Sequence, residues 1–431
     1  MTGLVNLNAA PRRIAVISVH TSPLDQPGTG DAGGLNVYVV ETSKRLAKRG
    51  IEVDIYTRAT RPDLPDEVQL APGVRVRHIE AGPFGGLRKE DLPGQLCAMT
   101  SGLLHAGARE TEDYYDLVHS HYWLSGQVGW LVSERWNVPL VHTMHTMAKV
   151  KNATLAAGDT PEPHGRIIGE EQVVKASSVL VANTVQEAVE LETYYDADPA
   201  HVVVAHPGVD LDTFTPADGR ASARKRLGIA DDAIMLLFVG RIQPLKAPDV
   251  LIDAAAALLK IDPSLRPRLK VVVCGGPSGS GVERPAALMD LAAAHGLDVD
   301  FVPPQSRAVL ADYYRAANLV AVPSHSESFG LVAIEAQACG TPVIAHAVGG
   351  LLTAVSNNVS GILVHGHDPQ VWAERIHEHI TCTVCPQRLS AGAVRHAALF
   401  SWDRTVDALI DAYKLAHGTH VAHALRQASN D

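Results

Sequence analysis

Short runs of apolar residues alternate along this chain with longer segments of helical periodicity. In the first half, the apolar runs at 13–19, 53–57, 74–79, 117–121, 140–143, 179–182 and 202–205 predict strands. Helical periodicity predicts helices at 35–49, 96–110, 126–134 and 166–175. Strands that alternate with helices, and that are apolar throughout, are typical of a parallel sheet covered on both faces.

The same pattern resumes after an interruption at 206–216, where prolines and a glycine break the periodicity. Strands are then expected at 234–239, 269–274, 299–302, 319–322, 343–345 and 361–364, and helices at 249–260, 329–338, 371–380, 387–399 and 402–417. The chain is long enough for two cores. We therefore predict an α/β protein of two facing doubly wound domains, residues 1–208 and 209–404, with a helix at about 405–431 that packs back on the first.

The most informative stretch is 319–350, where a strand, a polar loop, a helix and a second strand follow one another. Glu327 lies in the loop and Glu335 in the helix, with seven residues between them. Free backbone amides at 329–331 would form an anion site at the helix N-terminus. A carboxylate before a helix also stabilises it, so Glu327 has that simpler explanation as well. We expect both carboxylates to face the cleft.

Composition and charge narrow the function. A formal charge of −10 argues against binding to a nucleic-acid backbone, so anionic ligands need a few placed cations. The N-terminus lacks a secretory signal and no apolar run reaches membrane length, which favours a cytoplasmic protein without membrane contact. Four of the five cysteines are dispersed or lie in apolar surroundings, which predicts buried thiols in a reducing cytoplasm. Cys382 and Cys385, preceded by His377 and His379, leave a zinc site as a weak alternative.

Candidate ligand-binding residues cluster at the ends of predicted strands. Arg241 and Lys246 follow one strand and would clamp a diphosphate against the helix N-terminus at 329–331. Lys89 and its neighbour Arg88 lie on a glycine-rich loop, where solvation and function are equally plausible. Five histidines at or just past strand ends favour a site there, and they are His20, His119, His121, His142 and His145.

The glycine-rich loop at 20–34 contains Gly28, Gly30 and Gly33 in the spacing of a dinucleotide fingerprint. That fingerprint requires the first glycine to close the strand, whereas eight residues separate Val19 from Gly28. We therefore interpret the loop as a flexible lip that wraps a ligand. Asp210-x-Asp212 and Asp298-x-Asp300 match the D-x-D triplet of metal-dependent GT-A transferases, which remains a rival hypothesis.

Taken together, these motifs resemble those of the GT4 group of GT-B glycosyltransferases, retaining enzymes that use nucleotide-sugar donors. The resemblance spans nearly the whole chain and includes the lip, Gly240-Arg241 with Lys246, Gly275-Gly276, and Glu327 with Glu335. In the first half, the segments at 20–23, 26–36, 119–126 and 159–162 are similar to those of members that act in mycothiol biosynthesis. Those members transfer N-acetylglucosamine from UDP-GlcNAc to 1D-myo-inositol 3-phosphate.

The resemblance implies roles for individual residues. Catalytic roles fall to Arg241, Lys246, His145 and Glu327. The donor would contact His20, Gln26, Pro27, Gly34, Arg241, Lys246, Gln305, Glu327, Phe329, Gly330, Leu331 and Glu335. The inositol phosphate would contact Asp31, Ala32, Gly33, Gly34, Leu35, Asn36, Lys89, Tyr122, Thr146 and Arg166.

The resemblance also implies a homodimer, no organic cofactor, and a structural Mg²⁺ held by the carbonyls of Tyr314, Arg315 and Ala317 together with Thr341. Two positions depart from the family pattern. Gln305 stands where other members have Arg, and Ala247 stands where many have Gly. The remaining alternatives are a GT4 enzyme with another phosphorylated acceptor and a nucleotide-sugar binding protein without activity.

Overall fold

The computed structural model describes residues 10–85, 87–155, 160–277 and 284–428. Residues 1–9 of the expected loose N-terminal tail lie outside this part. The same holds for Asp159 in one of the family segments, and for Gly86 and Ser278 in two of the predicted loops.

The first domain is built on an eight-stranded sheet in the order β3-β4-β2-β1-β5-β6-β7-β8. All paired strands are parallel except β3, which runs antiparallel to β4 at the edge. The strands are β1 (Arg13–Ile17), β2 (Glu52–Arg58), β3 (Glu67–Ala71), β4 (Val74–Ile79), β5 (Leu117–His121), β6 (Leu140–Thr143), β7 (Val179–Ala182) and β8 (Val202–Val204). Sequence analysis missed β3, whose charged and amide side chains are exposed or half-buried at the sheet edge.

Helices cover both faces of this sheet. They are α1 (Gly34–Lys48), α2 (Leu96–Gly107), α3 (Trp123–Trp136), α4 (Ala148–Ala153), α5 (His164–Ala176) and α6 (Val185–Tyr195). The helices α4 and α6 were not predicted. For α6 a signal was present: Thr184 accepts a hydrogen bond from the Glu187 amide at 3.0 Å, and a Ser or Thr followed three residues later by Glu is a helix-start motif.

The second domain holds a six-stranded, fully parallel sheet in the order β11-β10-β9-β12-β13-β14. Its strands are β9 (Ile234–Val239), β10 (Leu269–Cys274), β11 (Val299–Val302), β12 (Leu319–Val322), β13 (Val343–His346) and β14 (Gly361–Val364). Its helices are α7 (Gly219–Leu227), α8 (Pro248–Ile261), α9 (Arg284–Ala294), α10 (Arg307–Ala316), α11 (Leu331–Ala338), α12 (Leu351–Ala354), α13 (Pro369–Thr381) and α14 (Cys385–Ala397).

The final helix, α15 (Trp402–Ala428), returns to the first domain. Val406, Leu409, Ala412 and Tyr413 are buried in the same core as Ile14 and the other central strand residues of the first sheet. Although this is the longest helix, none in the described part of the chain combines the length and apolar character that spanning a bilayer requires.

The crossing back to the first domain is tightly packed. The Thr405 hydroxyl donates to the His206 carbonyl at 2.6 Å, which ties the start of α15 to the first interdomain connection. A Cβ at Gly208 would lie 2.2 Å from the backbone nitrogen of Trp402, so only glycine fits there. The two connections between the domains therefore run side by side.

Two cysteines differ from the expectation of thiols. Cys382 and Cys385 form a disulfide at the junction of α13 and α14, so their sulfurs are not available to zinc in this state. Cys274 and Cys339 are buried thiols as expected, whereas Cys97 is an exposed thiol. The short spacing of Cys382 and Cys385 permitted this bond, but spacing alone did not separate it from a metal site.

The packing of α15 gives a test of domain organisation. Replacing Leu409, which is fully buried in the first core, by Ala is expected to lower the free energy of unfolding of that domain by about 2–5 kcal/mol. The matched change Leu415→Ala, at a site 38% exposed, should cost well under half as much. Urea unfolding followed by tryptophan fluorescence measures the free energy of unfolding of both variants. Equal losses in the two variants would contradict the packing of α15 against the first domain.

Candidate active site

The lip, residues 20–34 between β1 and the start of α1, reaches across to the second domain. The side-chain amide of Gln26 donates to the Pro304 carbonyl at 3.4 Å. A Cβ on Gly28 would lie 3.3 Å from Pro304, and one on Gly276 would lie 2.9 Å from the Gly28 carbonyl oxygen. The lip therefore closes one side of the cleft between the carboxyl ends of the two sheets, while Pro27 beside it is exposed.

Asn36 fixes the shape of the lip. Its side-chain NH₂ group donates to the Thr21 hydroxyl at 2.8 Å and to the Ser22 carbonyl at 2.6 Å, and its oxygen accepts from the Gly33 amide at 2.9 Å. Asn36 and Ala32 are buried. Sequence analysis assigned both to the acceptor, but the Asn36 side chain is committed to the lip itself and positions Gly33 and Gly34 at the start of α1.

The end of β9 brings two cations into the cleft. Lys246 forms an ion pair with Glu327, with 2.5 Å between Nζ and Oε2, and the Ser324 hydroxyl donates to the same oxygen at 3.2 Å. Ala247, directly after Lys246, has a φ of 48°, in the left-handed region that favours glycine. The turn therefore aims Lys246 at the loop that carries Glu327, at a modest backbone cost.

Arg241 faces the lip from the second domain. Its Nη1 lies 4.0 Å from an Asp31 oxygen, and a Cβ on Gly33 would lie 3.7 Å from its Nε. Burial lowers the pKa of Arg241 from its ordinary value, while the charges of Asp31 and Glu327 oppose that shift. Arg241 stays protonated because an arginine pKa starts so high. The cleft thus holds two positive charges near Glu327.

The helix α11 begins one residue after Gly330, which has a φ of 102°. Within the described part of the chain, the amides of Gly330 and Leu331 donate to no backbone or side-chain acceptor. Two open donors and the positive end of the helix dipole suit an anion. Phe329 itself is buried, and its backbone packs against Gly350, where a Cβ would lie 2.3 Å from the Phe329 Cα.

Glu335 lies deeper, at the floor of the cleft, and is 9% exposed. The Tyr314 hydroxyl donates to it at 3.0 Å. Burial raises the pKa of Glu335 to about 7, although the nearby Arg307 opposes the shift. A carboxyl group with this pKa changes charge near neutrality, so its ionisation responds to any ligand donor that reaches it.

Arg307 is a cleft residue that sequence analysis missed. It pairs with Glu41 of α1 at 2.5 Å and lies 3.5 Å from Asp210 of the interdomain connection. It therefore ties the two domains together beside Glu335. No local motif marks a single arginine at the start of a helix, so only the tertiary structure could reveal this contact.

A second group of cations surrounds Tyr122 in the first domain. Lys89 Nζ lies 4.6 Å and the Arg166 guanidinium carbon 5.0 Å from the centre of the Tyr122 ring, and the His20 ring lies 4.5 Å away. Tyr122 is buried and has a φ of 72°, a strained backbone for a bulky residue. The fold brings these residues together from four separate segments.

Arg166 is almost fully buried and most of its donors are used. Nε donates to Glu170 at 2.7 Å, Nη2 donates to the Thr146 hydroxyl at 2.9 Å, and Nη1 pairs with Glu162 at 2.8 Å. The Lys89 side chain has no hydrogen bond or ion pair within the described part of the chain, and its Nζ lies over the Tyr122 ring. Lys89 is therefore the cation of this group that a ligand can reach most directly.

The histidines divide into two sets. His119, His121 and His142 are buried, and His119 bonds Tyr413 and Thr143 while His142 bonds Ser120. The expectation of five histidines in one site was therefore wrong for these three, which serve the core. Only His20 and His145 are partly open to the cleft.

His145 lies at the domain junction in a left-handed conformation, with a φ of 59°. Its Nε2 bonds Nδ1 of His121 at 2.9 Å, and its carbonyl accepts from the Ser328 hydroxyl of the second domain. Burial holds the pKa of His145 and of His20 well below the usual range, so both rings are neutral at pH 7.

The residues suggested for Mg²⁺ lie behind the cleft. The buried Thr341 hydroxyl donates to the Tyr314 carbonyl at 2.6 Å, and the Ala317 amide donates to the same carbonyl. The Tyr314 carbonyl and the Thr341 hydroxyl are thus hydrogen-bonded to each other, and the described residues contain no cluster of three or more His, Cys, Asp or Glu suited to a metal. A set of neutral oxygens without a carboxylate is a poor fit to Mg²⁺, which prefers carboxylates and water. The ion stays a prediction.

The remaining donor candidates lie at the lip side of the cleft. The Gln305 side chain donates to the Pro303 carbonyl at 2.7 Å, so it is folded back on its own loop. Leu331 lies close to Gly34, where a Cβ would be 3.4 Å from the Leu331 side chain. Leu35 is half-buried beside Tyr122 and Trp123.

Comparison with known proteins decides the family. The model of the family described as "Glycosyl transferase 4-like domain" matches residues 33–208, and that of "Glycosyl transferases group 1" matches residues 219–394. The D-inositol 3-phosphate glycosyltransferase of Geodermatophilus obscurus is 61% identical in an alignment that covers 95% of this chain and 90% of the relative. The D-inositol 3-phosphate glycosyltransferase of Salinispora arenicola is 62% identical, and the alignment covers 94% of this chain and 92% of the relative. The chain belongs to this glycosyltransferase family. It is therefore an enzyme, and the resemblance seen in the sequence is confirmed.

Solved structures confirm the GT-B fold. Sucrose-phosphate synthase from Thermosynechococcus elongatus is 32% identical with a TM-score of 0.84, and covers 92% of this chain and 97% of its own. WaaG, a lipopolysaccharide glycosyltransferase, shares the fold at 18% identity with a TM-score of 0.70. The GT-A hypothesis was therefore wrong: Asp300 instead pairs with Lys270 at 2.6 Å on the outer strands, and Asp210 lies between the domains.

Burial of Glu335 predicts a pH dependence of stability. With a folded pKa of about 7 against an ordinary 4.5, this carboxyl favours the folded state below pH 4.5, and that contribution is lost as pH rises through 7. As the pH rises from 4.5 to 8, the free energy of unfolding of Glu335→Gln should increase relative to that of the wild type by up to about 3 kcal/mol. Thermal unfolding across this range measures the gain, with the exposed Glu192→Gln as control. If the stability difference between Glu335→Gln and the wild type did not change with pH, a raised pKa of Glu335 would be contradicted.

Proposed function

We propose that this glycosyltransferase transfers N-acetylglucosamine from UDP-GlcNAc to 1D-myo-inositol 3-phosphate, with retention at the anomeric carbon, as a step of mycothiol biosynthesis. The names of the close relatives support the acceptor. The observation that carries the proposal is the presence of two separate cationic groups in one cleft. Arg241, Lys246 and the α11 N-terminus form one, and Lys89 and Arg166 form the other. A diphosphate donor and a phosphorylated acceptor require two such groups.

The donor is placed along the stretch from Glu327 to Glu335. The open amides of Gly330 and Leu331 and the cations Arg241 and Lys246 would take the diphosphate. Glu327, held by Lys246, would accept from distal hydroxyls of the sugar, and Glu335 would accept from the ribose. Gln305 would meet the uracil through its backbone, because its side chain is bonded to Pro303.

The acceptor phosphate is placed between the lip and Tyr122. Lys89 would pair with it directly. Arg166 would add charge from behind and fix Thr146, since its donors bond Glu162, Glu170 and Thr146. Gly33 and Gly34, at the start of α1, would let the inositol approach the backbone closely.

The chemistry proposed is a front-face transfer. The bond between the anomeric carbon and the UDP oxygen breaks first, and Arg241, Lys246 and the α11 N-terminus stabilise the charge on the leaving diphosphate. The acceptor oxygen then attacks on the same face, and its proton passes to the β-phosphate. Glu327 is a poor candidate for a covalent nucleophile because Lys246 and Ser324 both hold its carboxylate. Neutral His145 would contact the transferred sugar.

The alternative acceptor, a phosphorylated sugar, has one observation in its favour. The structure that is 32% identical is a sucrose-phosphate synthase, a GT-B enzyme named for a phosphorylated sugar. The homodimer and the cytoplasmic location stay predictions. Release of UDP should be measured with UDP-GlcNAc and inositol 1-phosphate, inositol 3-phosphate or a hexose 6-phosphate. Turnover confined to the hexose phosphate would overturn the inositol assignment and leave the family intact.

The two donor-side cations should govern turnover. Arg241→Ala and Lys246→Ala are each expected to lower kcat by at least about 10², because each removes a charge that stabilises the leaving group. Steady-state kinetics with UDP-GlcNAc and inositol 3-phosphate measure this effect. Near-normal kcat in either variant would exclude the proposed role.

Lys89 should govern acceptor affinity. Lys89→Gln is expected to raise the KM for inositol 3-phosphate about tenfold or more, because it removes one charged contact, while the affinity for UDP stays unchanged. The control is Arg88→Gln next to it, an exposed residue paired with Asp91, which should leave the KM within twofold. If Lys89→Gln and Arg88→Gln change the KM for inositol 3-phosphate equally, Lys89 is an ordinary surface charge.

A further inference from the structure

A second cavity, of about 360 Å³, lies in the C-terminal domain away from the cleft. Its wall includes Ile234 at the start of β9, Asn318 just before β12 and Pro342 just before β13. The strands of this sheet are parallel, so their amino ends share one edge and their carboxyl ends share the other. The cavity therefore sits at the edge opposite to Arg241 and Glu327, and belongs to a different site.

The charged residues of the cavity are unevenly paired. They comprise three arginines, one histidine and two aspartates, namely Arg220, Arg224, Arg268, His379, Asp231 and Asp232. Arg224 donates to the Ala316 carbonyl at 3.0 Å, to the Asp231 carbonyl, and to Asn318 at 2.8 Å. Arg268 donates to the Asp232 carbonyl at 2.8 Å and lies 3.7 Å from its carboxylate. Both aspartate side chains are exposed at the rim.

Arg220 and His379 are the two residues without such partners. Neither side chain has a hydrogen bond or an ion pair within the described part of the chain, and both Arg220 Nε and His379 Nδ1 are buried without a partner. His379 is only 4% exposed. The buried imidazole of His379 lacks a partner for Nδ1, which costs free energy in the folded protein, and the half-buried guanidinium of Arg220 has a buried Nε without an acceptor. In a chain with a net charge of −10, these two unsatisfied side chains suit the cavity to a negatively charged ligand.

One further donor opens onto the same space. The Asn318 side-chain oxygen accepts from both Arg224 and the Met235 amide, so its NH₂ group is left to donate. Burial and the charge of Arg220 lower the pKa of His379 to about 4, which leaves the ring neutral with one N–H donor at pH 7.

We propose that this cavity binds a small phosphorylated metabolite, with the phosphate group held between Arg220 and His379. A phosphate offers several acceptor oxygens, which matches the arginine, amide and imidazole donors that converge there. The volume lies in the lower range of ligand pockets, about 300–1,000 Å³, and exceeds what a bare ion needs. This site is independent of the proposed transfer reaction.

The test uses the full chain carrying Lys89→Gln, which weakens the acceptor site, in the presence of saturating UDP, which fills the donor site. Isothermal titration with inorganic phosphate, glycerol 3-phosphate and citrate is expected to give binding strongest for glycerol 3-phosphate. Adding Arg220→Gln should weaken that binding at least about tenfold, as expected for loss of a charged hydrogen bond. Arg220→Lys should restore part of it.

Two controls separate ligand binding from a structural role. Lys225→Gln removes the same charge from an exposed position on α7 outside the cavity, and should leave binding unchanged. Arg220→Gln should maintain or raise the thermal midpoint of the ligand-free protein, because the Arg220 side chain has no hydrogen bond or ion pair to lose within the described residues and its Nε is buried without an acceptor, whereas a structural arginine would lower it. No binding of any of the three anions, or equal binding with Arg220→Gln, would overturn the proposal. Citrate bound as tightly as glycerol 3-phosphate would overturn the phosphate assignment.

Discussion

The ion pair between Lys246 and Glu327 fixes the geometry on which the proposed donor site depends. It joins the loop after β9 to the loop after β12, and the Glu327 carbonyl also accepts from the Gly350 amide at 2.8 Å. A Cβ at Gly349 would lie 2.5 Å from that carbonyl oxygen, so the backbone of the loop after β13 must approach without a side chain. Three strand ends thus meet at one glutamate, directly before the open amides of α11.

This arrangement explains why Glu327 and Glu335 differ although they belong to one motif. Glu327 is 19% exposed and is held by its ion pair with Lys246, so it anchors the loop. Glu335 is buried beside Tyr314, so burial raises its pKa to about 7. The seven-residue spacing places one carboxylate at the mouth of the cleft and the other at its floor, with the helix N-terminus between them. In the proposed donor site, the two carboxylates would bind opposite ends of a nucleotide sugar rather than act as an acid and a base.

The sequence predicted much of the fold because both sheets are parallel and apolar, as at Val16 and Val320, and such strands are recognised by short apolar runs. The edge strand β3 was not predicted, because Glu67 and Gln69 face solvent and interrupt the apolar run. The motif residues of the donor site are local, so they could be recognised. Arg307 with Glu41 could not, since the two lie far apart in sequence and meet only across the domains. Position at a strand end also did not identify which histidines are accessible, because His119 is buried by tertiary packing whereas His145 is partly exposed.

The return of α15 to the first domain has a consequence for biosynthesis. Leu409 and Tyr413 complete a core whose other residues, such as Ile14 and Val53, are among the earliest translated. A ribosome releases the N-terminal part of a chain first, and domains generally fold as units as they emerge. Here the second domain can fold from a continuous segment, whereas the first must wait for the last helix. The first domain is therefore the last to be finished, and its incomplete sheet face is the surface that most needs protection during synthesis.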